Sequence, residues 1–323
     1  MARYRKIDLW SALGLLLAVL VAHNTMAQQG SPGAPERDNA GATLRGSKVP
    51  ISLSFGLIGQ KNIEPTPFVF GGKVAPQYKY VVGITFNDGA REAICTGTLM
   101  SKRLVLTAGH CGCGNNYRIT QNLDMKGAKF IPAEGRPLLF DPRACQLSAV
   151  RPGYDLALLQ LREDADVDDA YQAFPQLAFS LIERTRRGTS LVVVGYGLTD
   201  NLTIGTRMEA SVPVFTPDCA QRQYVAAGCA PFFEMILAAT NGIGGRRPDT
   251  CSGDSGGPVF AMVPVPGLQP VPSLVAVTSR PAPLPQVDTQ NHCGGGGIYT
   301  VAGRRDVVDW LAQNGAAGAP KQQ

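Results

Sequence analysis

Short apolar runs separated by turn residues constrain this chain more than any other feature. Tyr80-Val81-Val82-Gly83-Ile84-Thr85-Phe86 and Leu191-Val192-Val193-Val194 are rich in β-branched side chains, and each stops after a few residues. Such runs suit strands and are too short for buried helices. The 37 glycines and 24 prolines among 323 residues supply the intervening turns. An all-β architecture follows, although periodicity alone leaves sandwich and barrel both open. With 44% hydrophobic and 17% charged residues, the chain can bury an ordinary core and is neither disordered nor collagen-like. No internal repeat or low-complexity domain is visible.

The amino-terminal end departs from this pattern. Residues 1–27 combine a basic start, an apolar stretch from Leu9 to Ala22 and a small-residue exit at Thr25-Met26-Ala27. This is the pattern of a secretory signal peptide, with an apolar stretch short for a membrane span. Residues 28–68 shift to Gly, Pro, Asn and Gln around one apolar run from Ile51 to Ile58, as a pro-segment or linker would. All eight cysteines lie beyond the leader, an even number compatible with disulfides in a secreted or periplasmic protein. A zinc site built on His110-Cys111-Gly112-Cys113 and His292-Cys293 is the competing use of the same residue types; export favours disulfides, so no metal and no other cofactor is expected. The formal charge of +5 includes +2 from Arg3, Arg5 and Lys6 against Asp8 in the leader, leaving +3. Arg184-Thr185-Arg186-Arg187 and Arg304-Arg305-Asp306 are short clusters that read as solvated faces, so nucleic acid is not an expected partner.

Three short segments carry chemistry. Gly253-Asp254-Ser255-Gly256-Gly257-Pro258 sets one serine hydroxyl among glycines that allow close backbone approach and leave N–H groups free. Taken alone it is also good turn chemistry. Thr107-Ala108-Gly109-His110-Cys111 follows the apolar run Leu104-Val105-Leu106 and puts His110 just past a buried strand end. Asp155 heads the apolar run Leu156-Ala157-Leu158-Leu159, where a charge is costly unless something pairs with it. His110 as a structural histidine and Asp155 as a strand cap are the plain readings of each by itself. Together the three supply a nucleophile, a base and an orienter. Of the other two histidines, His23 falls in the leader and His292 in a Gly-rich loop that reads as surface.

These segments, in this order, resemble the histidine, aspartate and Gly-Asp-Ser-Gly-Gly-Pro motifs of the trypsin-like (chymotrypsin-fold) serine peptidases. The resemblance runs from about Val69 to Asn314. Gly195-Tyr196-Gly197 is similar to the family's Gly-Trp-Gly turn, Gly297-Ile298-Tyr299-Thr300 to its Gly-Val-Tyr-Thr strand, and Asp306 to Gln313 to its C-terminal helix. It implies two packed six-stranded antiparallel β-barrels with a C-terminal helix, spanning residues 69–315, and a flexible tail over 316–323. It also implies an endopeptidase acting on protein or peptide substrates through an acyl-enzyme, with His110, Asp155 and Ser255 catalytic and the N–H groups of Gly253 and Ser255 as oxyanion hole. A monomer without stable membrane association after signal removal is expected.

The resemblance pairs Cys95 with Cys111 and Cys251 with Cys293; elimination and proximity then suggest Cys113 with Cys145 and Cys219 with Cys229. Val69-Phe70-Gly71-Gly72 resembles the family's mature start, whose freed amine would pair with Asp254. Phe68, where most relatives carry Arg or Lys, implies an activating peptidase that is not trypsin-like. Asp249, six residues before Ser255, matches the pocket-bottom aspartate of members that cleave after Arg or Lys, and Gly297 a pocket wall that leaves room for a long side chain. Val277-Thr278-Ser279-Arg280 stands in place of Val-Ser-Trp-Gly. That register sets Thr278 on the pocket wall and Arg280 at its mouth, where Arg280, or Arg246 and Arg247, could neutralise Asp249. An inactive binding module on the same fold, an active peptidase with a non-basic pocket, and an esterase-type Gly-x-Ser-x-Gly elbow are the alternatives. The elbow requires a following helix, which Pro258 disfavours, and histidine last in order, whereas His110 comes first.

Overall fold

The computed structural model describes Val69 and residues 71–146, 151–167, 176–177, 185–239, 247–284 and 293–316. The leader and residues 28–68, Phe70, Arg246, His292 and the tail after 316 lie outside the described residues.

Among the described residues fourteen strands form two closed six-stranded barrels with two short appended strands. The first barrel runs β2 (Val81–Asp88), β3 (Arg91–Ser101), β4 (Leu104–Thr107), β7 (Ala157–Leu161), β6 (Ile131–Leu139) and β5 (Asn115–Thr120), and β5 closes on β2. Its opening hairpin follows from local chemistry. Asp88 pairs with Arg91, leaving a two-residue loop of Gly89 and Ala90. Gly89 takes φ +61°, as a turn matched to the strand twist demands.

The second barrel runs β9 (Ser190–Gly195), β10 (Met208–Thr216), β11 (Glu234–Leu237), β14 (Gly297–Val301), β13 (Val271–Pro281) and β12 (Pro258–Val263), and β12 closes on β9. Strand β1 (Lys73–Val74) pairs with β10, and β8 (Gln176–Leu177) lies parallel to β13. Every pairing within the two rings is antiparallel. The predicted barrels are therefore present, and the sandwich that periodicity left open is not.

Closure and the packing around the barrels bury the short β-branched runs on both faces of their strands. Val81, Val82, Ile84, Leu99, Val105, Leu106, Ile119 and Leu159 of the first barrel are buried in one hydrophobic cluster, and Val193, Val212, Met235, Val259, Val275 and Tyr299 of the second in another. Helix α1 (Arg222–Ala226) is a short surface turn. Helix α2 (Arg305–Gln313) begins one residue before the sequence suggested and buries Val307, Val308 and Leu311. These one-face positions join the first barrel's core cluster, and Trp310 meets Phe140 edge-on with centroids 5.1 Å apart. Arg304 corrects the solvated-face reading of its cluster. Its side chain is only 10% exposed, with the guanidinium 4.2 Å from the Phe233 ring centroid and a hydrogen bond to the Gly153 carbonyl.

All four predicted disulfides are formed, Cys95–Cys111, Cys113–Cys145, Cys219–Cys229 and Cys251–Cys293. Among the described residues no helix is long and apolar enough to cross a membrane.

Candidate active site

His110 opens a single 3-10 turn, His110–Cys113, at the end of β4. Gly109 before it sits where a Cβ would come 3.0 Å from both Asp155 Oδ1 and the Leu156 nitrogen, so glycine lets the aspartate close in. Asp155 is fully buried at the head of β7. Its cost there is met by three donors: the His110 backbone N–H at 2.8 Å, His110 Nδ1 at 2.9 Å and the Ser279 hydroxyl at 2.6 Å.

Burial works against the charge of Asp155, but its hydrogen bonds to His110 and Ser279 outweigh burial and hold the carboxyl below its ordinary value. An ionised Asp155 only accepts, so His110 Nδ1 carries the proton and Nε2 keeps its lone pair. Burial likewise opposes protonation of His110. The bond to Asp155 and its charge prevail and raise the imidazole, while the Arg280 charge pulls it down.

The Ser255 turn is carried to this pair by contacts between the barrels. Thr96 on β3 donates its N–H to the Ser255 carbonyl at 2.8 Å and its hydroxyl to the Gly253 carbonyl at 2.9 Å. Gly256, at φ +83°, lies against the strand that leads to His110. A Cβ there would come 2.0 Å from Thr107 Oγ1 and 2.7 Å from the Ala108 nitrogen. Gly253 takes φ +97°. Within the turn the N–H groups of Asp254, Gly256 and Gly257 all find internal acceptors. Among the described residues those of Gly253 and Ser255 have none.

Asp254 is sealed behind the turn, 1% exposed, with Gly197 N–H donating at 2.7 Å and Cys251 N–H at 2.8 Å. Desolvation outweighs both bonds and pushes its carboxyl up to about 7. Gly195 and Gly197, either side of buried Tyr196, are required because a Cβ on either would strike the Asp254 carboxylate.

Asp249 lies 1% exposed among Thr250, Gly296, Gly297 and Tyr299. It accepts from Thr250 N–H and Gly296 N–H, each at 2.8 Å, and desolvation pushes its carboxyl up to about 7. Among the described residues no cation pairs with it. Gly297 admits the Tyr299 ring, since a Cβ would stand 2.7 Å from the phenol oxygen, and that phenol is 2.9 Å from the Thr250 hydroxyl.

One expectation on β13 is corrected, that of Arg280 against Asp249. A bulge between Thr278 and Arg280 places two β13 steps against one on β14. Ser279, within the bulge, donates to Asp155, and the Thr278 hydroxyl is buried with no hydrogen-bond partner among the described residues. Arg280 does not neutralise Asp249. It grips Glu234 with both Nη atoms, at 2.6 and 2.8 Å. Glu234 is fully buried and was missed in the sequence, although it gives the same signal as Asp155, a carboxylate heading an apolar run, Met235-Ile236-Leu237. Cys95, His110 and Cys111 bring potential ligand atoms within 4.8 Å of one another, but the two sulfurs are bonded to each other and are not thiolates.

A family profile described as Trypsin matches residues 69–311. The chain belongs to the trypsin family. A trypsin-like protease of Streptomyces glaucescens is 32% identical over 203 residues, 59% of this chain and 66% of that protein. Trypsin 5G1 of Aedes aegypti is 29% identical over 198 residues, 59% of this chain and 70% of that protein. The chain thus spans about two thirds of the length of these curated relatives. Neuropsin, a serine protease expressed in the limbic system of mouse brain, superposes with a TM-score of 0.53 at 21% identity, over 75% of this chain and 98% of its own, a likeness of fold.

Proposed function

We propose that this trypsin-family protein is a secreted or periplasmic serine endopeptidase that cleaves on the carboxyl side of Arg or Lys. The carrying observation is the buried Asp155, whose bond to Nδ1 favours the tautomer of His110 in which Nδ1 carries the proton and the Nε2 lone pair can accept one. In this reading Ser255 Oγ attacks the scissile carbonyl as His110 Nε2 takes its proton. Gly253 and Ser255 N–H groups receive the oxyanion. His110 then returns the proton to the leaving amine, and water releases the acyl group from Ser255 by the same route.

Basic specificity is supported by Asp249, a buried carboxylate that among the described residues has backbone donors only and with which a substrate guanidinium could pair bidentately. Residues 1–27 are read as the signal peptide, 28–68 as the pro-segment and 69–315 as a monomeric peptidase domain that begins at Val69 after processing and needs no metal. Peptide substrates differing only at the residue before the cleaved bond test the pocket. Faster cleavage after Arg and Lys than after Ala, Val or Phe is expected, and the reverse order would refute a basic pocket.

A further inference from the structure

Next to Asp155, linked to it through Ser279, whose hydroxyl bonds the same carboxylate oxygen as His110 Nδ1, lies an ion pair that neither the peptidase chemistry nor the pocket uses. Glu234 on β11 is fully buried and Arg280, after the bulge of β13, is 25% exposed. The Glu234 carboxylate is saturated: besides both Arg280 Nη atoms it accepts Gly153 N–H and Ala230 N–H, each at 2.8 Å. Gly153 stands two residues before Asp155, so one carboxylate holds both the guanidinium and the loop that delivers the aspartate. Arg280 is further fixed by the Gly228 carbonyl at 2.7 Å, and its Nη1 donates to Ser279 Oγ at 3.2 Å.

We infer that Arg280, clamped by Glu234, is a positioning residue for the His110–Asp155 pair and acts on it through the Ser279 hydroxyl. The inference rests on the reading of His110 as base and Asp155 as orienter. A serine hydroxyl has one proton and two lone pairs, and a guanidinium can only donate. With Arg280 occupying a lone pair, the Ser279 proton is committed to Asp155, at 2.6 Å. The same cation opposes a second positive charge on the imidazole. The charged groups acting on His110 are Asp155, from the loop before β7, and Arg280, from β13. Glu234 lies beyond Arg280, and the adjacent Cys95–Cys111 disulfide does not titrate. Asp155 makes His110 more basic and Arg280 restrains it, so the base is left neutral over a wider range of pH.

The test is an imidazole NMR titration of His110 in the full mature domain, carrying Ser255→Ala to prevent self-digestion, alongside pH profiles of kcat/KM in the Ser255 protein. Arg280→Gln removes the cation. Because that leaves Glu234 buried and unpaired, the double variant Arg280→Met with Glu234→Gln removes both charges. The expected result is a His110 midpoint moved to higher pH in both, with kcat/KM lowered about threefold or more at pH 6 and less than about twofold above pH 8. Arg280→Lys, which keeps the charge, should restore most of the loss at pH 6. An unchanged His110 midpoint in the folded variants overturns the inference. Should neither variant fold, Ser279→Ala leaves the ion pair whole, and an unchanged midpoint there overturns it equally. The titration does not depend on hydrolysis, so an inactive wild-type protein would sink the proposed function while the midpoint still decides the role of Arg280.

Discussion

Asp249 and Asp254 are buried and, among the described residues, have backbone donors alone, and both carboxyls are pushed up to about 7. Their unfolded values lie near 4, so between about pH 4 and 7 the folded protein holds more protons than the unfolded chain. Stability therefore falls as pH rises across that window. The raised His110 contributes in the same direction, its share being present below about 6.5 and lost as pH climbs through its folded value. Asp155, held low, matters only below about pH 4. Thermal melts of the unprocessed chain, which has no freed Val69 amine to pair with Asp254, should give a higher midpoint at pH 5 than at pH 8; a melting temperature that rises over that interval would contradict the burial of the two carboxyls as ionisable groups. For Asp249 a second consequence follows. A guanidinium or amidinium inhibitor must expel its proton, so binding measured by calorimetry should weaken by up to about tenfold per pH unit below 7. Affinity independent of pH from 5 to 8 would place the inhibitor elsewhere.

The residues with ordered motifs around them, His110, Asp155 and Ser255, were legible in the sequence because each combines an unusual residue type with a strand end or a glycine turn. Ser279 was not. Its role is set by a bulge that shifts β13 by one residue against β14, and a bulge leaves no mark in a stretch as ordinary as Val277-Thr278-Ser279-Arg280.

Strand β3 and the 3-10 turn are held together by Cys95–Cys111, which spans 16 residues of sequence and anchors the backbone of the proposed base. Replacing both cysteines with alanine should lower unfolding free energy by roughly 3 kcal/mol in the chain-entropy account, read as a reduced denaturation midpoint at unchanged slope. A midpoint equal to wild type would mean that the bridge adds nothing the barrel does not already supply. Gly256→Ala should be worse for function, because the added methyl meets the Thr96 carbonyl and the Ala108 nitrogen, backbone atoms of β3 and of the segment before His110, at a φ of +83° that side chains rarely adopt. Most strands announced themselves through β-branched runs. Strand β6, Ile131–Leu139, did not: two prolines, a glycine, Glu134 and Arg136 interrupt it, and its pairing with β7 breaks register between Glu134 and Leu138. It is a strand because β5 and β7 on either side need partners to close the barrel.

Across the whole molecule the two barrels meet at Thr96, whose backbone and side chain hold both ends of the Ser255 turn. The catalytic reading joins residues from both barrels, which is why sequence order alone could pair motifs but not place them. Val69 is 2% exposed and packed into the second barrel's core. Processing before it should change its surroundings, and mass spectrometry of the active protein should find Val69 at the amino terminus; activity in a form that begins well away from Val69 would remove that step from the account. The central claim, that Ser255 is a nucleophile activated by His110, is tested most directly by fluorophosphonate labelling followed by peptide mapping. One adduct on Ser255 is expected in the wild-type protein, with labelling in Ser255→Ala abolished and in His110→Ala lowered by several orders of magnitude, about 10⁶ in turnover for comparable changes in a related enzyme. An unlabelled Ser255, or equal labelling in His110→Ala, would contradict it.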